Sequence, residues 1–330
     1  MPDKITRVAT DVGGTFTDLV YFETDTRTGA QTVRTDKSDT TPPDFEKGVL
    51  AVLDKAGVDV ESLDFLAHGT TVVINSLTER KGAKVGLITT RGFRDVLEIG
   101  RGNRPDFFNL KYQKPEPFVE RYLRRELPGR VDFHGVEQVP LDLGGLGQIV
   151  ADFRAEGVTA VAICFIHGCA KPAHEEATLA ELRRLWPDVT AVASHQITRE
   201  WREYERTSTT ILSAYVQPSA QRYLERLESG LRGKGYQGGL YVMQSNCGVD
   251  TVESIKQTPI TMVESGPASG FWGAAELGRI IGEPDVLALD IGGTTAKCSL
   301  ITGGHLNIRT EYWIERHGKS AGYPIMVRVV

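Results

Sequence analysis

The pattern of apolar and polar positions divides the chain into strands and amphipathic helices that follow one another. Residues 5–22 contain two runs rich in β-branched and aromatic residues on either side of a Gly-Gly turn, which predicts a β-hairpin. Residues 44–57 repeat apolar side chains at helical spacing, which predicts a helix. Further strands are predicted over 65–67, 84–89, 160–165, 190–194, 239–243, 286–291 and 296–301, and further helices up to Arg80, over 93–99, from Leu146, and over 173–185, 203–232 and 271–281. This alternation predicts an α/β fold whose sheets are covered by helices.

One segment lacks this regularity, and one long helix marks a change of domain. Residues 100–140 carry many Arg and Pro residues with little periodicity, so we expect an extended excursion over the surface. The helical stretch from about 203 to 232 indicates a domain boundary just before it. We therefore expect two domains, residues 1–200 and residues 201–330.

A short motif occurs twice, each time between two predicted strands. Residues 10–21 are TDVGGTFTDLVY and residues 289–300 are LDIGGTTAKCSL, so Asp-(Val/Ile)-Gly-Gly-Thr stands at the bend of both hairpins. Two glycines permit positive φ and remove Cβ, which lets the backbone approach a phosphate closely. Successive N–H groups in such a turn form an anion-binding concavity, and the Asp before the turn is placed to hold Mg²⁺. A plain hairpin turn explains one copy equally well, but two matching copies favour phosphate binding.

The motif differs from the two familiar phosphate-binding loops. Its glycines lie between two strands with no helix after them, unlike those of the dinucleotide-binding G-x-G-x-x-G loop. The P-loop pattern G-x-x-x-x-G-K-[ST] does not occur in the sequence. The paired hairpins therefore indicate another way of holding a nucleotide.

Paired hairpins of this kind resemble the two phosphate-binding loops of the actin, sugar-kinase and heat-shock-chaperone ATPase superfamily. Within it, the chain is similar to the hydantoinase A / 5-oxoprolinase family, and the acetone and acetophenone carboxylase subunits share the same motifs. The segments that carry this resemblance are DVGGTFTD at 11–18, HGTTVVINSL at 68–77, GFRDVLEIGR at 92–101, ESGPASG at 264–270 and DIGGTTAK at 290–297. The resemblance implies two related ribonuclease-H-like ATPase domains with β-hairpin phosphate loops, the second one incomplete, because family subunits are about twice as long.

The resemblance implies an enzyme that uses ATP and Mg²⁺ to phosphorylate a carbonyl oxygen. An amide oxygen leads to the opening of a hydantoin, N-methylhydantoin or 5-oxoproline ring, and an enolate oxygen leads to carboxylation of a ketone. An inactive or regulatory nucleotide-binding module is a third reading. The family also implies a hetero-oligomer with a large hydantoinase B-like partner. The positions matching the two loops are Asp11, Gly13, Gly14, Thr15 and Thr17, and Asp290, Gly292, Gly293, Thr294 and Thr295, with Asp11 and Asp290 as Mg²⁺ ligands.

A segment between a strand and a helix supplies further candidate contacts. His68, Gly69, Thr70 and Thr71 stand at this junction, where exposed N–H groups favour an anion. We expect them to contact a substrate or a phosphate, and a capping and turn role is the alternative. Asn75 comes four residues after Thr71 and therefore lies on the same helical face, either in the cleft or at the surface.

Other polar residues leave two readings open. Glu264 precedes a predicted helix and serves either as a general base or metal partner, or as a carboxylate that ties down its loop. Lys297 either supplies positive charge near a phosphate or faces solvent on its strand. Cys247 lacks the His or Asp support that a nucleophile needs. Arg101 and Arg104 are candidate contacts for an anion or a partner.

Composition narrows the class of protein. A net charge of −5, a pI near 5.9 and only local clusters of basic residues argue against a general nucleic-acid binder. The four cysteines show no C-x-x-C spacing, which argues against a structural zinc site or a disulfide framework. No run approaches the roughly 20 apolar residues of a membrane span, and the N-terminus lacks the apolar stretch of a signal peptide. We therefore expect a reduced, cytoplasmic protein that does not enter a membrane.

The last residues are also apolar. The run 323–330 (YPIMVRVV) resembles a strand without its continuation, and the glycine-rich adenosine-side loop of the family would lie beyond Val330. We expect an open strand edge at this run that promotes self-association.

The repeated motif makes a structural prediction. Residues 5–22 and 287–301 are expected to form equivalent hairpins, one in each of two related domains. Superposition of the two segments checks this, and a helix at either position would remove the resemblance to the ATPase superfamily.

Overall fold

The chain folds into two compact units built from interleaved segments. The computed structural model describes residues 4–102, 106, 108–112, 114–291, 296–315 and 322–330. The hairpin unit comprises Met1–Asn75, Ser219–Arg309 and Arg328–Val330, and the parallel unit comprises Ser76–Pro218 and Thr310–Val327. The predicted domains follow the order of the sequence, whereas these units follow contacts. The division at residue 200 therefore stays a prediction.

Most strands and helices lie where the apolar pattern predicts them. The strands are β1 (Lys4–Val12), β2 (Phe16–Asp25), β3 (Gln31–Asp39), β4 (Phe65–Thr70), β5 (Val85–Thr90), β6 (Arg124–Leu127), β7 (Arg130–Val131), β8 (Glu137–Val139), β9 (Ala160–Cys164), β10 (Thr190–Ala193), β11 (Gly239–Met243), β12 (Val249–Thr251), β13 (Val286–Ile291), β14 (Ala296–Thr302), β15 (His305–Leu306), β16 (Tyr312–Ile314) and β17 (Tyr323–Ile325). The α-helices are α1 (Phe45–Lys55), α2 (Val72–Thr78), α3 (Val96–Ile99), α4 (Leu146–Ala155), α5 (Ala173–Leu185), α6 (Ser194–Ile197), α7 (Glu203–Gly233), α8 (Val252–Gln257) and α9 (Ser265–Ile281). The α/β class is confirmed.

The hairpin unit is centred on a six-stranded mixed sheet with the order β12-β11-β4-β1-β2-β3. β1 and β2 pair antiparallel, as do β2 and β3, whereas β4 lies parallel to both β1 and β11. The predicted hairpin over residues 5–22 is therefore confirmed. Helix α1 covers this sheet with one apolar face, on which Val49, Val52 and Leu53 are fully buried.

The second hairpin, β13 and β14, repeats the register of the first. Asp11 lies opposite Asp18 in the first pair, and Asp290 lies opposite Lys297 in the second, so seven positions separate the partners in both. The two segments thus form matching antiparallel hairpins, as predicted. Both belong to the hairpin unit, so their assignment to two related domains stays a prediction.

The two faces of the second hairpin differ in burial. Ala288 and Ile301 pack with Phe271 and Ala275 of α9. The alternating residues of β13 point the other way, and Leu287, Leu289 and Ile291 are exposed. An apolar sheet face is therefore open beside the second loop.

The C-terminal run is paired and buried. β17 pairs antiparallel with β16, and Tyr323, Ile325, Val327 and Val329 are buried. The run therefore has a neighbouring strand, contrary to the expectation that it lacks one, and the expected self-association stays a prediction. The partner strand β16 is three residues long, too short to show a periodicity of its own in the sequence.

The parallel unit contains a four-stranded sheet with the order β10-β9-β5-β6, in which all neighbours are parallel. All six residues of β5 are buried, as expected for a strand covered on both faces. The predicted excursion over 100–140 is wrong in part, because β6 lies within it and extends this sheet. Its four residues, RREL, alternate poorly, so the sequence pattern does not identify it.

A buried carboxylate joins elements at one edge of this sheet. Glu175 accepts hydrogen bonds from the Phe165 backbone N–H, the Ser194 hydroxyl and the His195 backbone N–H at 2.9, 2.6 and 3.0 Å. Arg206 donates to the Phe165 carbonyl and to the Ser194 hydroxyl at 2.6 and 3.2 Å. This network fixes the carboxyl ends of β9 and β10 against α5 and α7.

Among the described residues, no helix combines the length and apolarity needed to cross a membrane.

We predict that Gly86→Ala destabilises the parallel unit. A Cβ at this position of β5 would lie 2.6 Å from ring atoms of Phe153, which is fully buried, so overpacking should lower the free energy of unfolding by about 1–3 kcal/mol. Urea denaturation measures the free energy of unfolding of the variant and the wild type. The control is Gly147→Ala on α4, where a Cβ would meet nothing within 4 Å, and stability should stay equal or rise by up to about 1 kcal/mol. Equal effects of the two variants would contradict the packing described here.

Candidate functional site

The loop of the first hairpin is held in shape by the segment after β3. The Gly13 N–H donates to the Phe16 carbonyl at 2.9 Å, which closes the turn. Thr40 donates its hydroxyl to the Gly13 carbonyl and its N–H to the Thr15 carbonyl, both at 2.9 Å. Within the described part of the chain, the N–H groups of Gly14 and Thr15 donate to no acceptor. The exposed tip therefore presents two backbone N–H groups that no described residue accepts from, as a phosphate-binding turn requires.

Thr17 lies beneath this loop rather than in it. Its side chain is fully buried, and its hydroxyl lies 3.3 Å from that of Thr40. A Cβ at Gly48 of α1 would come within 2.9 Å of the same hydroxyl. The geometry gives Thr17 a supporting position, and its phosphate contact stays a prediction.

The carboxylate of Asp11 is enclosed and has an oxygen without a partner. Asp11 Oδ1 is buried and forms no hydrogen bond to any described residue. A Cβ at Gly69 would lie 2.8 Å from this oxygen, and one at Gly266 would lie 3.1 Å from it. The two glycines therefore form a cradle that only residues lacking a side chain permit. Burial, followed by the charges of Asp18 and Asp290, raises the pKa of Asp11 to about 6.

The second hairpin contributes charged side chains of both signs. Asp290 is exposed at the end of β13, and its charge acts on Asp11. Opposite it, Lys297 forms an ion pair with Glu264, whose side chain is almost fully buried. Lys297 is therefore not a purely solvent-facing residue, and its predicted place near a phosphate stays a prediction. The ion pair agrees with the reading of Glu264 as a carboxylate that ties down its loop.

Part of the predicted site lies outside the described residues. This part is the second loop, with Gly292, Gly293, Thr294 and Thr295. Across the described ranges, no group of three or more His, Cys, Asp or Glu side chains is arranged to hold a metal ion.

His68 is a buried link within the sheet. Its Nδ1 lies 2.8 Å from the Thr10 hydroxyl, and its Nε2 lies 2.5 Å from the hydroxyl of Tyr223 on α7. Burial lowers the pKa of His68 to about 3, so the imidazole is neutral. Both ring nitrogens are engaged inside the protein, so His68 joins β1, β4 and α7 from within a strand. Its predicted contact with a substrate or a phosphate stays a prediction.

The residues after His68 tie β4 to the start of α9 and to the first hairpin. The Ser265 hydroxyl donates to the Thr70 carbonyl at 2.8 Å, and the Thr71 N–H donates to the Val12 carbonyl at 3.0 Å. Asn75 Nδ2 donates to the Thr71 hydroxyl at 3.2 Å, which confirms that the two lie on one helical face. These bonds set the position of Gly69 against Asp11.

Helix α9 begins earlier than its apolar pattern predicts. It starts at Ser265 instead of residue 271. Pro267 does not prevent this early start, because it falls in the first turn, where a backbone N–H has no partner within the helix. This extension brings Gly266 to the carboxylate of Asp11. The N-terminal end of a helix carries partial positive charge, so it favours anions beside the cradle.

Sequence reasoning missed two supporting residues. Thr40 and Tyr223 reach the site from distant segments, and nothing in their local sequence marks them. Ser245, in the loop after β11, accepts from the Glu264 N–H at 3.0 Å and donates to the Thr261 carbonyl at 2.7 Å. Gly266 did carry a signal, since it stands within the ESGPASG motif.

Two other candidates have partners that reduce their chemical availability. Cys247 donates its thiol to the Ala268 carbonyl at 3.1 Å, and burial raises the pKa of Cys247 to about 11. It is therefore protonated at neutral pH. Arg101 forms ion pairs with Glu205 and with Glu203 of α7. Arg104 lies outside the described residues.

Two family models together match almost the whole chain. Residues 7–185 match the hydantoinase/oxoprolinase N-terminal region, and residues 206–330 match the hydantoinase/oxoprolinase model. The chain therefore belongs to the hydantoinase/oxoprolinase family, as the motifs indicated.

Relatives of known activity fall into two chemical classes. The caprolactamase subunit alpha of Pseudomonas jessenii is 33% identical over 91% of this chain and 44% of its own length. The acetophenone carboxylase gamma subunit of Aromatoleum aromaticum is 32% identical over 91% of this chain and 43% of its own length. The chain thus spans about half the length of the curated relatives it matches.

Solved structures confirm the fold over nearly all of the chain. A nucleotide-free acetone carboxylase chain superposes with a TM-score of 0.83 at 25% identity, covering 98% of this chain and 48% of that one. The ATP-dependent caprolactamase from Pseudomonas jessenii superposes with a TM-score of 0.81 at 32% identity, covering 98% and 47%.

The enclosed carboxylate predicts an unusual dependence of stability on pH. Because the pKa of Asp11 is raised from 3.8 to about 6, the folded state binds this proton more tightly than the unfolded state. Stability should therefore fall as pH rises from about 4 through 6, by about 2–3 kcal/mol from this group. Asp11→Asn removes the charge, so we expect it to be more stable than the wild type above pH 6 and to lose that advantage near pH 4.

Thermal unfolding in EDTA between pH 4 and 8 measures the effect. Asp290→Asn is the matched control, because Asp290 is exposed and its removal should change the pH profile far less. A constant difference between Asp11→Asn and the wild type at all pH values would contradict the burial of this carboxylate.

Proposed function

We propose that this chain holds the phosphates of Mg²⁺-ATP in an enzyme that phosphorylates a carbonyl oxygen and thereby opens a cyclic amide by hydrolysis. The observation that carries the proposal is the enclosed carboxylate of Asp11, whose Oδ1 has no partner among the described residues, beside a loop whose Gly14 and Thr15 N–H groups donate to none of them. A buried charge without a partner is costly, so its persistence indicates a cation or another ligand. The order of the mixed sheet supports the ribonuclease-H-like assignment of the hairpin unit.

The residues at the cradle fit a magnesium ion. Asp11 offers an unused carboxylate oxygen, and Asp290 is close enough for its charge to raise the pKa of Asp11. Oxygen donors of this kind suit Mg²⁺, which usually binds one or two carboxylates together with phosphate oxygens and water. When bound, the ion would neutralise phosphate charge during transfer.

The chain's own groups would position the phosphates. The N–H groups of Gly14 and Thr15 can donate to phosphate oxygens, while Thr40 keeps the loop rigid through its two hydrogen bonds. The start of α9 adds favourable dipole potential. Phosphoryl transfer is accelerated mainly by positioning and charge neutralisation, which these groups supply. Phosphorylation of the amide oxygen makes the carbonyl carbon susceptible to water.

The comparisons support a carbonyl substrate of one of two types. Caprolactamase is named for a cyclic amide, whereas the acetophenone and acetone carboxylases are named for ketones. The likeness in sequence to caprolactamase and to acetophenone carboxylase is nearly equal, at 33% and 32% identity. We therefore keep ketone carboxylation as the second candidate, in which the phosphorylated oxygen belongs to an enolate.

The proposal includes a partner. The two curated relatives are named as subunits, which supports assembly with further chains. We propose a large hydantoinase B-like subunit in that role. The alternative is an inactive or regulatory module that binds a nucleotide and phosphorylates no substrate.

A substrate panel separates these functions. ATP hydrolysis by the complete enzyme is measured with ε-caprolactam, hydantoin and 5-oxoproline, and with acetone or acetophenone plus bicarbonate. We expect a cyclic amide to stimulate ATP hydrolysis, and we expect the Asp11→Asn variant to lose this stimulation. Stimulation by ketone and bicarbonate alone would replace hydrolysis by carboxylation, and Mg²⁺-ATP binding without stimulation by any compound would support the regulatory module.

The glycine cradle predicts a sharp difference between two positions on α9. In Gly266→Ala, the new Cβ would stand 3.1 and 3.3 Å from the two carboxylate oxygens of Asp11, which displaces the carboxylate. We expect a loss of Mg²⁺-dependent ATP turnover of roughly ten- to a hundredfold. In Gly270→Ala, the Cβ meets nothing within 4 Å, so turnover should be unchanged.

Mg²⁺-dependent thermal shifts of both variants accompany the rate measurements. A folded Gly266→Ala protein with normal turnover and a normal Mg²⁺ shift would show that the space around Asp11 has no part in the site.

A further inference from the structure

The second hairpin presents an apolar sheet face that none of the described residues covers. Leu287, Leu289 and Ile291 of β13 and Leu300 of β14 are between 62% and 70% exposed. Leu287 lies opposite Leu300 and Leu289 lies opposite Cys298, so these side chains share one face, on which the thiol is exposed as well. A contiguous exposed patch of large apolar side chains is typical of a surface that another polypeptide covers.

One edge of β13 is also free. The sheet has the order β13-β14-β15, so β14 occupies one side of β13. Among the described residues, no strand pairs with the other side, although β13 is six residues long. The backbone N–H and C=O groups along such an edge are a template for a further strand.

The exposed side chains of the second hairpin have buried counterparts in the first. Counted from the Asp of the repeated motif, the corresponding positions are Val8 for Leu287, Val12 for Ile291 and Leu19 for Cys298. The three counterparts in the first hairpin are at most 1% exposed. The same hairpin positions therefore lie inside the protein in one copy and at the surface in the other.

Two elements cover these positions in the first hairpin. β4 pairs parallel with β1, on the side that β2 leaves free. α1 lies over the face that carries Val12, because a Cβ at Gly48 of α1 would come within 2.9 Å of the hydroxyl of Thr17, the cross-strand partner of Val12. The repeat therefore specifies what the second hairpin lacks, which is a strand beside β13 and a helix over its apolar face.

We propose that the second hairpin is the docking surface for an α/β segment, whose strand pairs parallel with β13 and whose amphipathic helix packs on Leu287, Leu289 and Ile291. The occupant is polypeptide that corresponds to the half of the relatives that this chain does not match. Two solved relatives superpose on 98% of this chain, which corresponds to 48% and 47% of their own chains, so these relatives contain about as much polypeptide again. The occupant must present an apolar surface, because burying an unpaired charge against this face would be costly.

Cys298 reports on this surface, because its exposed thiol belongs to the apolar face. The chain is produced alone and together with the part of the Pseudomonas jessenii caprolactamase subunit alpha that it does not match, and both preparations are treated with a maleimide. We expect the two polypeptides to purify as a complex in which Cys298 reacts roughly tenfold or more slowly than in the chain alone, because buried thiols are inert. Cys169, which lies in the parallel unit, is the internal reference for the reaction rate.

Two variants locate the contact. Leu289→Glu places a charge opposite Cys298 in the apolar face. Because Leu289 is exposed, the chain should fold normally, whereas complex formation and the protection of Cys298 should be lost. Val33→Glu is the matched control, because Val33 is also an exposed apolar strand residue but lies on β3, at the edge of the six-stranded sheet. It should leave complex formation and protection unchanged.

Several results would overturn the proposal. They are the absence of a complex, a complex in which Cys298 reacts as fast as in the chain alone, and equal effects of the two variants. Light scattering on the chain alone adds a further one, since a dimer with protected Cys298 would show that a second copy occupies the face. Mg²⁺-ATP is absent throughout, so these results leave the proposed function untouched, and a failure to bind Mg²⁺-ATP leaves the docking surface untouched.

Discussion

The burial of the Asp11 carboxylate is the constraint on which the hairpin unit depends. Its charge is enclosed where β1, β4 and the start of α9 meet, and both neighbouring elements present glycine to it. In the parallel pairing of β1 with β4, Asp11 lies opposite Gly69, so a shift of register by one residue would replace that glycine with a side chain. Strand register, helix start and residue choice therefore all follow from the space that one carboxylate needs.

Hydrogen bonds behind the cradle hold these elements in place. Thr10, His68 and Tyr223 form a buried chain from β1 through β4 to α7. Ser265 joins α9 to β4 through the backbone of Thr70. Because the interior is of low polarity, satisfied polar contacts of this kind specify one arrangement strongly. They act on the site through position and leave the exposed donors of the loop available.

The two units offer different chemistry. The hairpin unit combines backbone donors with carboxylates, which suits phosphate and a divalent cation. The parallel unit contains a mostly apolar pocket, and the Ser208 hydroxyl in its wall has no partner among the described residues.

The sequence by itself determined the elements with strong local signals. Both DxGGT hairpins, the buried strand β5 and the long helix α7 follow from periodicity and composition, because strand alternation and helical spacing are local properties. The motifs around Asp11, His68 and Glu264 also identified the family, since the glycines and polar residues that a phosphate loop needs are few and closely spaced.

Tertiary structure decided what those residues can do. Only the meeting of β1, β4 and α9 shows that Asp11 is enclosed, that Glu264 and Lys297 neutralise each other, and that His68 is buried and neutral. Short elements such as β6 and β16 were also beyond the sequence pattern, because their pairing with distant strands stabilises them. Burial, charge and partner choice arise from contacts between segments far apart in the chain, and local sequence carries no record of those contacts.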